Sequence, residues 1–282
     1  MEIRQVAVIG AGTMGSGIAQ VFAQAGYPVT MIDVAPAPLE KGLATIQRSM
    51  ARLVEKGRLS EENRSAALGR LQTAVGLEAA APADLVVEAV YEDVTVKRDV
   101  LKRLDSLLAP HAILATNTSS ISITGLAGAV QRPAQVIGMH FMNPVPLMQL
   151  VEVVRGLATS EQTVAVIVDV SHRLGKTPVV VNDAPGFVAN RILLPMINEA
   201  IYALMEGVAD AEAIDTVMKL GLNHPMGPLA LADLIGLDVC LAILEVMHRD
   251  IGDDKYRPCP LLRRMVAAGY LGRKSGRGFY TY

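Results

Sequence analysis

The sequence has no tryptophan, four phenylalanines and only two cysteines. Cys240 and Cys259 stand in no local spacing that would make a metal site or a redox motif, so neither is expected. A reducing, cytoplasmic setting is the simplest expectation. Excess charge of either sign is also lacking. Twenty-six basic residues against 28 acidic ones leave a formal net charge of -2. Without a basic field, neither nucleic acid nor an anionic membrane surface is an expected partner. A membrane span is excluded too. The longest suspicious stretch without Asp, Glu, Lys or Arg runs over 133–151. It holds Pro133, Pro144 and Pro146 together with His140, Asn143 and Gln149, so it cannot be one apolar helix. The first residues, Met1-Glu2-Ile3-Arg4, lead straight into a strand pattern, and no signal or transit peptide is expected.

What is present is aliphatic. Hydrophobic residues make up 51% of the chain and charged residues 19%, which excludes intrinsic disorder. Ala, Val, Leu and Ile supply this content, the make-up of small-side-chain helices packed on aliphatic strands. A length of 282 residues fits two domains.

Val6-Ala7-Val8-Ile9 reads as a buried parallel strand ending at Gly10, followed by a helix over 13–26 and a strand over 29–32 that closes at Asp33. Apolar residues at Leu39, Leu43, Ile46, Met50 and Leu53 mark one helix face. Ser60 before Glu61 and Glu62 reads as a helix N-cap. Further strands are expected over 85–90, 113–116, 136–139, 148–154 and 178–181, with helices over 95–108 and 161–174. Strands alternating with helices imply a doubly wound, mainly parallel α/β sheet of Rossmann type. After Asp183 the pattern becomes helical, over 186–206, 210–219, 228–249 and 259–268. The expected domains are therefore 1–183 and a smaller all-helical domain, 184–282.

Gly10-Ala11-Gly12-Thr13-Met14-Gly15 lies between the first strand and its helix, the context in which this spacing binds a dinucleotide. Gly10 allows the tight turn, Gly12 lets backbone approach a pyrophosphate, and Gly15 lets helix and strand pack. The amides and dipole at the helix start then meet the phosphates. Glycine turns of this kind also occur for packing alone. Asp33, about 20 residues on at the end of the second strand, decides for the cofactor, because a carboxylate there accepts from an adenosine ribose 2′-hydroxyl. Val34-Ala35-Pro36-Ala37 offers no cation for a 2′-phosphate, so NAD is expected rather than NADP.

A dehydrogenase of alcohols needs a base near neutrality, and His140, in Gly138-Met139-His140-Phe141-Met142-Asn143-Pro144, ends a strand at the edge where open α/β sheets bind ligands. Position alone would equally suit an ordinary core or surface histidine. Glu152, an acid inside the apolar run Leu150-Val151-Glu152-Val153-Val154, needs a partner if buried, and an imidazolium across the Pro-rich turn would supply it. Asn117-Thr118-Ser119-Ser120 follows another strand and suits either ligand hydroxyls or a local turn. Glu92 with Lys97 would face a cofactor ribose or simply charge a helix start. Asn190 would close the cleft from the second domain or cap its first helix. Arg48, Arg52 and Lys56 form a basic stripe on one helix, suited to phosphates or to solvent.

Together these segments resemble the L-3-hydroxyacyl-CoA dehydrogenase family, and most closely its short bacterial 3-hydroxybutyryl-CoA dehydrogenases. The resemblance runs through residues 10–19, Val87-Glu88-Ala89-Val90-Tyr91-Glu92, Asn117-Thr118-Ser119-Ser120 and 140–146. It continues through Leu150-Val151-Glu152-Val153, 183–191, Pro225-Met226-Gly227-Pro228 and 272–280. It implies NAD-dependent, reversible oxidation of an (S)-3-hydroxyacyl-CoA, with His140 as general base oriented by Glu152. Ser119 and Asn190 would bond the substrate's oxygens. Asn143 and Asn117 would sit near the nicotinamide, Asp33, Glu92 and Lys97 around the riboses, and Lys274 near the cofactor. The same resemblance implies an acyl-CoA thioester as substrate, a homodimer built by the helical domain, and no metal. Two other readings are a same-fold dehydrogenase of a free hydroxy or sugar acid, and a non-catalytic NAD(H)-binding sensor. The carboxylate at Asp33 makes a direct prediction. NADH supports a higher kcat/KM than NADPH when the two are compared in parallel, and better use of NADPH would overturn the cofactor reading.

Overall fold

Short aliphatic runs and helical repeats alternate through the first of two units, Met1–Asp183, in the computed structural model, which describes residues 1–282. In chain order the unit runs β1 (Val6–Ile9), α1 (Thr13–Gln24), β2 (Val29–Asp33), α2 (Pro36–Glu55), α3 (Glu61–Gly69), β3 (Leu71–Val75) and β4 (Leu85–Glu88). It continues with α4 (Val94–Leu107), β5 (Ile113–Thr116), α5 (Ile123–Ala127), β6 (Val136–Phe141), β7 (Leu150–Arg155), α6 (Glu161–Arg173) and β8 (Thr177–Asn182). The strands form one eight-stranded sheet in the order β3-β2-β1-β4-β5-β6-β7-β8. β1, β4, β5 and β6 are buried along their whole length, as continuous aliphatic runs covered on both faces should be. From β1 the chain builds outward through β2 and β3, then returns to lay β4 on β1's other side. That reversal opens a crevice at the carboxyl ends of β1 and β4.

The sheet is not parallel throughout. β6 and β7 pair antiparallel, and β8 then runs parallel to β7. The connection between β6 and β7, residues 142–149, is shorter than the roughly 10–12 residues a parallel crossover needs, so the chain must turn back on itself. Two elements escape sequence periodicity. β3 is an edge strand with no fully buried position, so its apolar spacing is blurred. α5 is a single short turn of helix started by Ser122, whose side chain accepts from the Gly125 N–H.

The second unit, Ala184–Tyr282, consists of helices α7 (Ala189–Met205), α8 (Ala211–Gly221), α9 (Pro228–Ile235), α10 (Leu237–Ile251) and α11 (Pro260–Ala267) around its own aliphatic core. The single helix expected over 228–249 is in fact two, broken at Gly236. Its φ of 106° is a conformation no helix continues through. Two buried aspartates organise the packing. Asp215 on α8 accepts from the Leu229 and Ala230 N–H groups and so caps α9 from outside, replacing the side-chain cap that Gly227 lacks. Gly227 is required there, because a Cβ would stand 2.2 Å from the Asp215 Cγ. Asp233 accepts from the Phe279 and Tyr280 N–H groups and the Tyr282 hydroxyl, fastening the 279–282 segment. No helix in either unit is long and apolar enough to cross a membrane. Asp215→Ala removes the acceptor of the buried Leu229 N–H and of the half-buried Ala230 N–H and is expected to cost about 3 kcal/mol. The check is thermal unfolding, in which a variant melting with the parent protein would contradict this role.

Candidate active site

The crevice between β1 and β4 is a cavity of about 600 Å³, lined by Gly10, Gly12, Thr13, Met14, Asp33 and Val90 among others. The three fingerprint glycines are required for different reasons. A Cβ at Gly10, whose φ is 100°, would lie 2.6 Å from the Ala89 carbonyl oxygen, and one at Gly15 would lie 1.8 Å from the Gly10 oxygen. Those two are demanded by the protein's own backbone. At Gly12 a Cβ would meet nothing within 4 Å, so no packing contact calls for glycine. The open space at that turn fits a group other than the protein, and a pyrophosphate against the start of α1 has the right chemistry. Asp33 Oδ2 accepts from the Ala11 N–H at 2.7 Å and Oδ1 from the Val34 N–H at 2.7 Å. Each oxygen keeps a further lone pair for a ribose hydroxyl, and the residue is already oriented.

His140 and Glu152 face each other across β6 and β7 as register partners, which puts both side chains on one face of the sheet. His140 Nδ1 lies 2.7 Å from Glu152 Oε2, and both residues are buried. A carboxylate only accepts, so the ring carries its proton on Nδ1 and presents the Nε2 lone pair. Nε2 lies 3.2 Å from the Ser119 hydroxyl. Such an arrangement can take a proton at Nε2 and hold the resulting cation against a carboxylate.

Ser119 is held in turn from the segment between β4 and α4. Its N–H donates to Glu92 Oε1 at 2.9 Å, the Thr118 and Ser120 hydroxyls donate to the same oxygen, and Lys97 Nζ stands 3.3 Å from Glu92 Oε2. The Lys97 amine also donates to Glu88 Oε1 at 2.8 Å. The Lys97 side chain is only 1% exposed, and its amine pairs with both Glu88 and Glu92. Glu88 is fully buried and takes further hydrogen bonds from the Thr116 hydroxyl and the Val90 N–H. In the sequence it stands only within the segment Val87-Glu88-Ala89-Val90-Tyr91-Glu92. The signal that could have singled it out is that its neighbours Leu85, Val86 and Val87 are all aliphatic. Asn117 Oδ1 accepts from the Phe141 N–H, tying β5 to β6 beside His140.

Arg48 and Arg52 of α2, with Lys56 at its C-terminal cap, line a second cleft, of about 460 Å³, whose other wall is Pro144, Pro146 and Leu147. The connection that carries Asn143, exposed beyond β6, therefore also bounds the basic cleft. Asn190, in the first turn of α7, and Lys274 belong to the second unit. The Lys274 ammonium pairs there with Asp238, bonding Oδ2 at 2.7 Å.

Comparison with known proteins places this geometry. The family described as 3-hydroxyacyl-CoA dehydrogenase, NAD binding domain, matches residues 5–184, and its C-terminal domain matches residues 186–282. The chain belongs to the 3-hydroxyacyl-CoA dehydrogenase family. A probable 3-hydroxybutyryl-CoA dehydrogenase of Bacillus subtilis is 58% identical over 282 residues, covering 100% of this chain and 98% of the relative. The mitochondrial hydroxyacyl-coenzyme A dehydrogenase of Sus scrofa is 42% identical, over 99% of this chain and 91% of its own. The crystal structure of (S)-3-hydroxybutyryl-CoA dehydrogenase from Ralstonia eutropha superposes with a TM-score of 0.97 at 52% identity, covering 100% of this chain and 99% of that one. Like the rest of the 3-hydroxyacyl-CoA dehydrogenase family, the protein is an NAD-dependent dehydrogenase.

The contrast among glycines gives a test that separates folding from binding. Gly15→Ala forces a backbone clash and should cost roughly 3 kcal/mol, lowering Tm by about 6–12 °C. Gly12→Ala should leave Tm within about 2 °C yet weaken NADH binding at least tenfold, since its methyl enters the space left for phosphate. Calorimetry and fluorescence titration of NADH read the two effects. Equal losses of stability in both variants would refute the distinction.

Proposed function

We propose that the protein reversibly oxidises short-chain (S)-3-hydroxyacyl-CoA, with 3-hydroxybutyryl-CoA going to acetoacetyl-CoA, and that His140 is its general base. The observation that carries the reading is the row of buried Glu152, buried His140 and half-buried Ser119 at the carboxyl edge of the sheet. NAD, which the glycine turn at 10–15 and Asp33 would hold, would supply the acceptor for the hydride lost from C3. His140 Nε2 receives the proton of the 3-hydroxyl as the C3–oxygen bond becomes a carbonyl, and the imidazolium so formed rests against the Glu152 carboxylate. That compensation matters because an unpaired cation at a buried position is costly. The Ser119 hydroxyl donates to the same substrate oxygen, and its own position is held by Glu92 above Lys97 and Glu88. In the reverse direction His140 returns the proton from Nε2.

The cleft of Arg48, Arg52 and Lys56 suits the phosphates of the CoA nucleotide, whose charge the net composition of the chain would not otherwise attract. In this reading residues 1–183 are the NAD-binding domain and 184–282 close the cleft, with Asn190 bonding the thioester side of the substrate and Lys274 standing near the cofactor. The second unit also exposes Ile192, Val217, Leu220 and Leu222, each more than half accessible, which suits a homodimer contact. A cytoplasmic enzyme without nucleic-acid or membrane partners completes the proposal.

His140→Gln should leave NADH binding nearly intact while cutting turnover of acetoacetyl-CoA by about 10²–10⁴, the worth of a general base. Glu152→Gln should lower kcat in the same assay, since the amide neither fixes the ring tautomer nor balances the cation. Consumption of NADH followed by absorbance checks both, and near-normal turnover in His140→Gln would sink the assignment. A protein that reduces free acetoacetate as well as its CoA thioester would favour the hydroxy-acid reading instead.

A further inference from the structure

Lys176 is a buried amine that the chemistry described so far does not use. It follows Gly175, at the end of α6, and precedes β8. Its own N–H donates to the Ser171 carbonyl at 3.0 Å, and the next N–H, of Thr177, donates to the Gln149 carbonyl at 2.8 Å. The backbone is thus fixed on both sides. From there Nζ reaches the Val145 carbonyl at 2.6 Å and the Met148 carbonyl at 2.7 Å. Those carbonyls belong to the turn 144–148, which is closed by the Leu147 and Met148 N–H groups donating to the Pro144 carbonyl, both at 3.0 Å. The turn's other residues, Pro144, Pro146 and Leu147, form the wall opposite Arg48, Arg52 and Lys56.

We propose that Lys176 is a positioning residue whose ammonium holds this turn as the wall of the basic cleft, and so sets the grip on the nucleotide end of the CoA thioester. The inference rests on the proposed function. Three observations support it. Burial alone pulls the Lys176 pKa down, with no carboxylate offsetting it, so the charge is kept at a cost where an apolar side chain would fill the space more easily. What an ammonium provides and a methyl group does not is a directional hold on two carbonyl oxygens. The turn is also seated from the opposite side. Val145 is buried, and Gly17 of α1 lies so close beneath it that a Cβ there would stand 2.9 Å from the Val145 Cβ. With Val145 anchored, losing the ammonium leaves the fold intact and frees the turn to pivot about that anchor.

The test compares acetoacetyl-CoA with the acetoacetyl thioester of pantetheine, which lacks the nucleotide, in the full-length enzyme and in Lys176→Met and Lys176→Gln. The parent enzyme should have a KM for the CoA thioester about tenfold or more below that for the pantetheine thioester. Lys176→Met should raise the KM for acetoacetyl-CoA about tenfold, with the KM for the pantetheine thioester, the KM for NADH and kcat all within about twofold. Lys176→Gln, which keeps N–H donors without the charge, should fall between. If the parent enzyme makes no distinction between the two thioesters, the phosphate reading of the cleft fails. If the parent distinguishes them and Lys176→Met does so equally well, or loses kcat alike with both, the role of Lys176 fails. Failure of both variants to fold also overturns it, because the proposal requires the turn to move within a stable protein.

Discussion

Burying the carboxylate of Glu152 demands a partner, and the antiparallel register of β6 and β7 supplies one by setting His140 directly opposite. In a parallel sheet the two strands would be joined by a long crossover, and residues so near in sequence would not become cross-strand neighbours. The short connection 142–149 forces the reversal. The same connection bears Asn143 and gives the basic cleft one of its walls. One local constraint on chain length thus aligns the acid–base pair and shapes the neighbouring binding surface.

A second set of charges supports the first. Glu88 is buried and Glu92 exposed, and the buried Lys97 ammonium between them balances only part of their charge. The remainder is spread over the Thr116 and Thr118 hydroxyls and the N–H groups of Val90 and Ser119. Removing one member of such a network leaves the others unsatisfied, which makes the arrangement rigid. Rigidity is useful here, because Ser119 must stay within reach of His140 while ligands come and go.

Much of this was readable from residue patterns. The fingerprint between β1 and α1, the acid ending β2 and the buried strands announce themselves through fixed spacing and uniform aliphatic content. His140 and Glu152 were legible as a pair because an acid inside an apolar strand calls for a partner. The sequence reading erred where tertiary context overrides local pattern. Gly236 breaks a helix whose apolar spacing continues across it, and β3 pairs at an edge with little burial to mark it. Lys97 reads as either a ribose contact or a helix-start charge, and local pattern does not show that it is buried against Glu88. Lys176 has no pattern at all. Its meaning depends on two carbonyls some thirty residues earlier in the chain.

The order of the strands carries a kinetic consequence. Six of the seven pairings in the sheet join strands consecutive in the chain, and only β1 with β4 skips across others. Consecutive pairings close short or moderate loops and can form early and independently. The β1–β4 contact must bring Val6 to Leu85, past two strands and three helices. It is therefore the step with the greatest loop-closure entropy, and the joint at which two separately growing halves of the sheet meet. That joint is also the crevice holding the glycine turn, so the cofactor cavity is completed only when the two halves dock. A dinucleotide present at that moment stabilises the seam itself, and the ligand acts on the stage of assembly most in need of help.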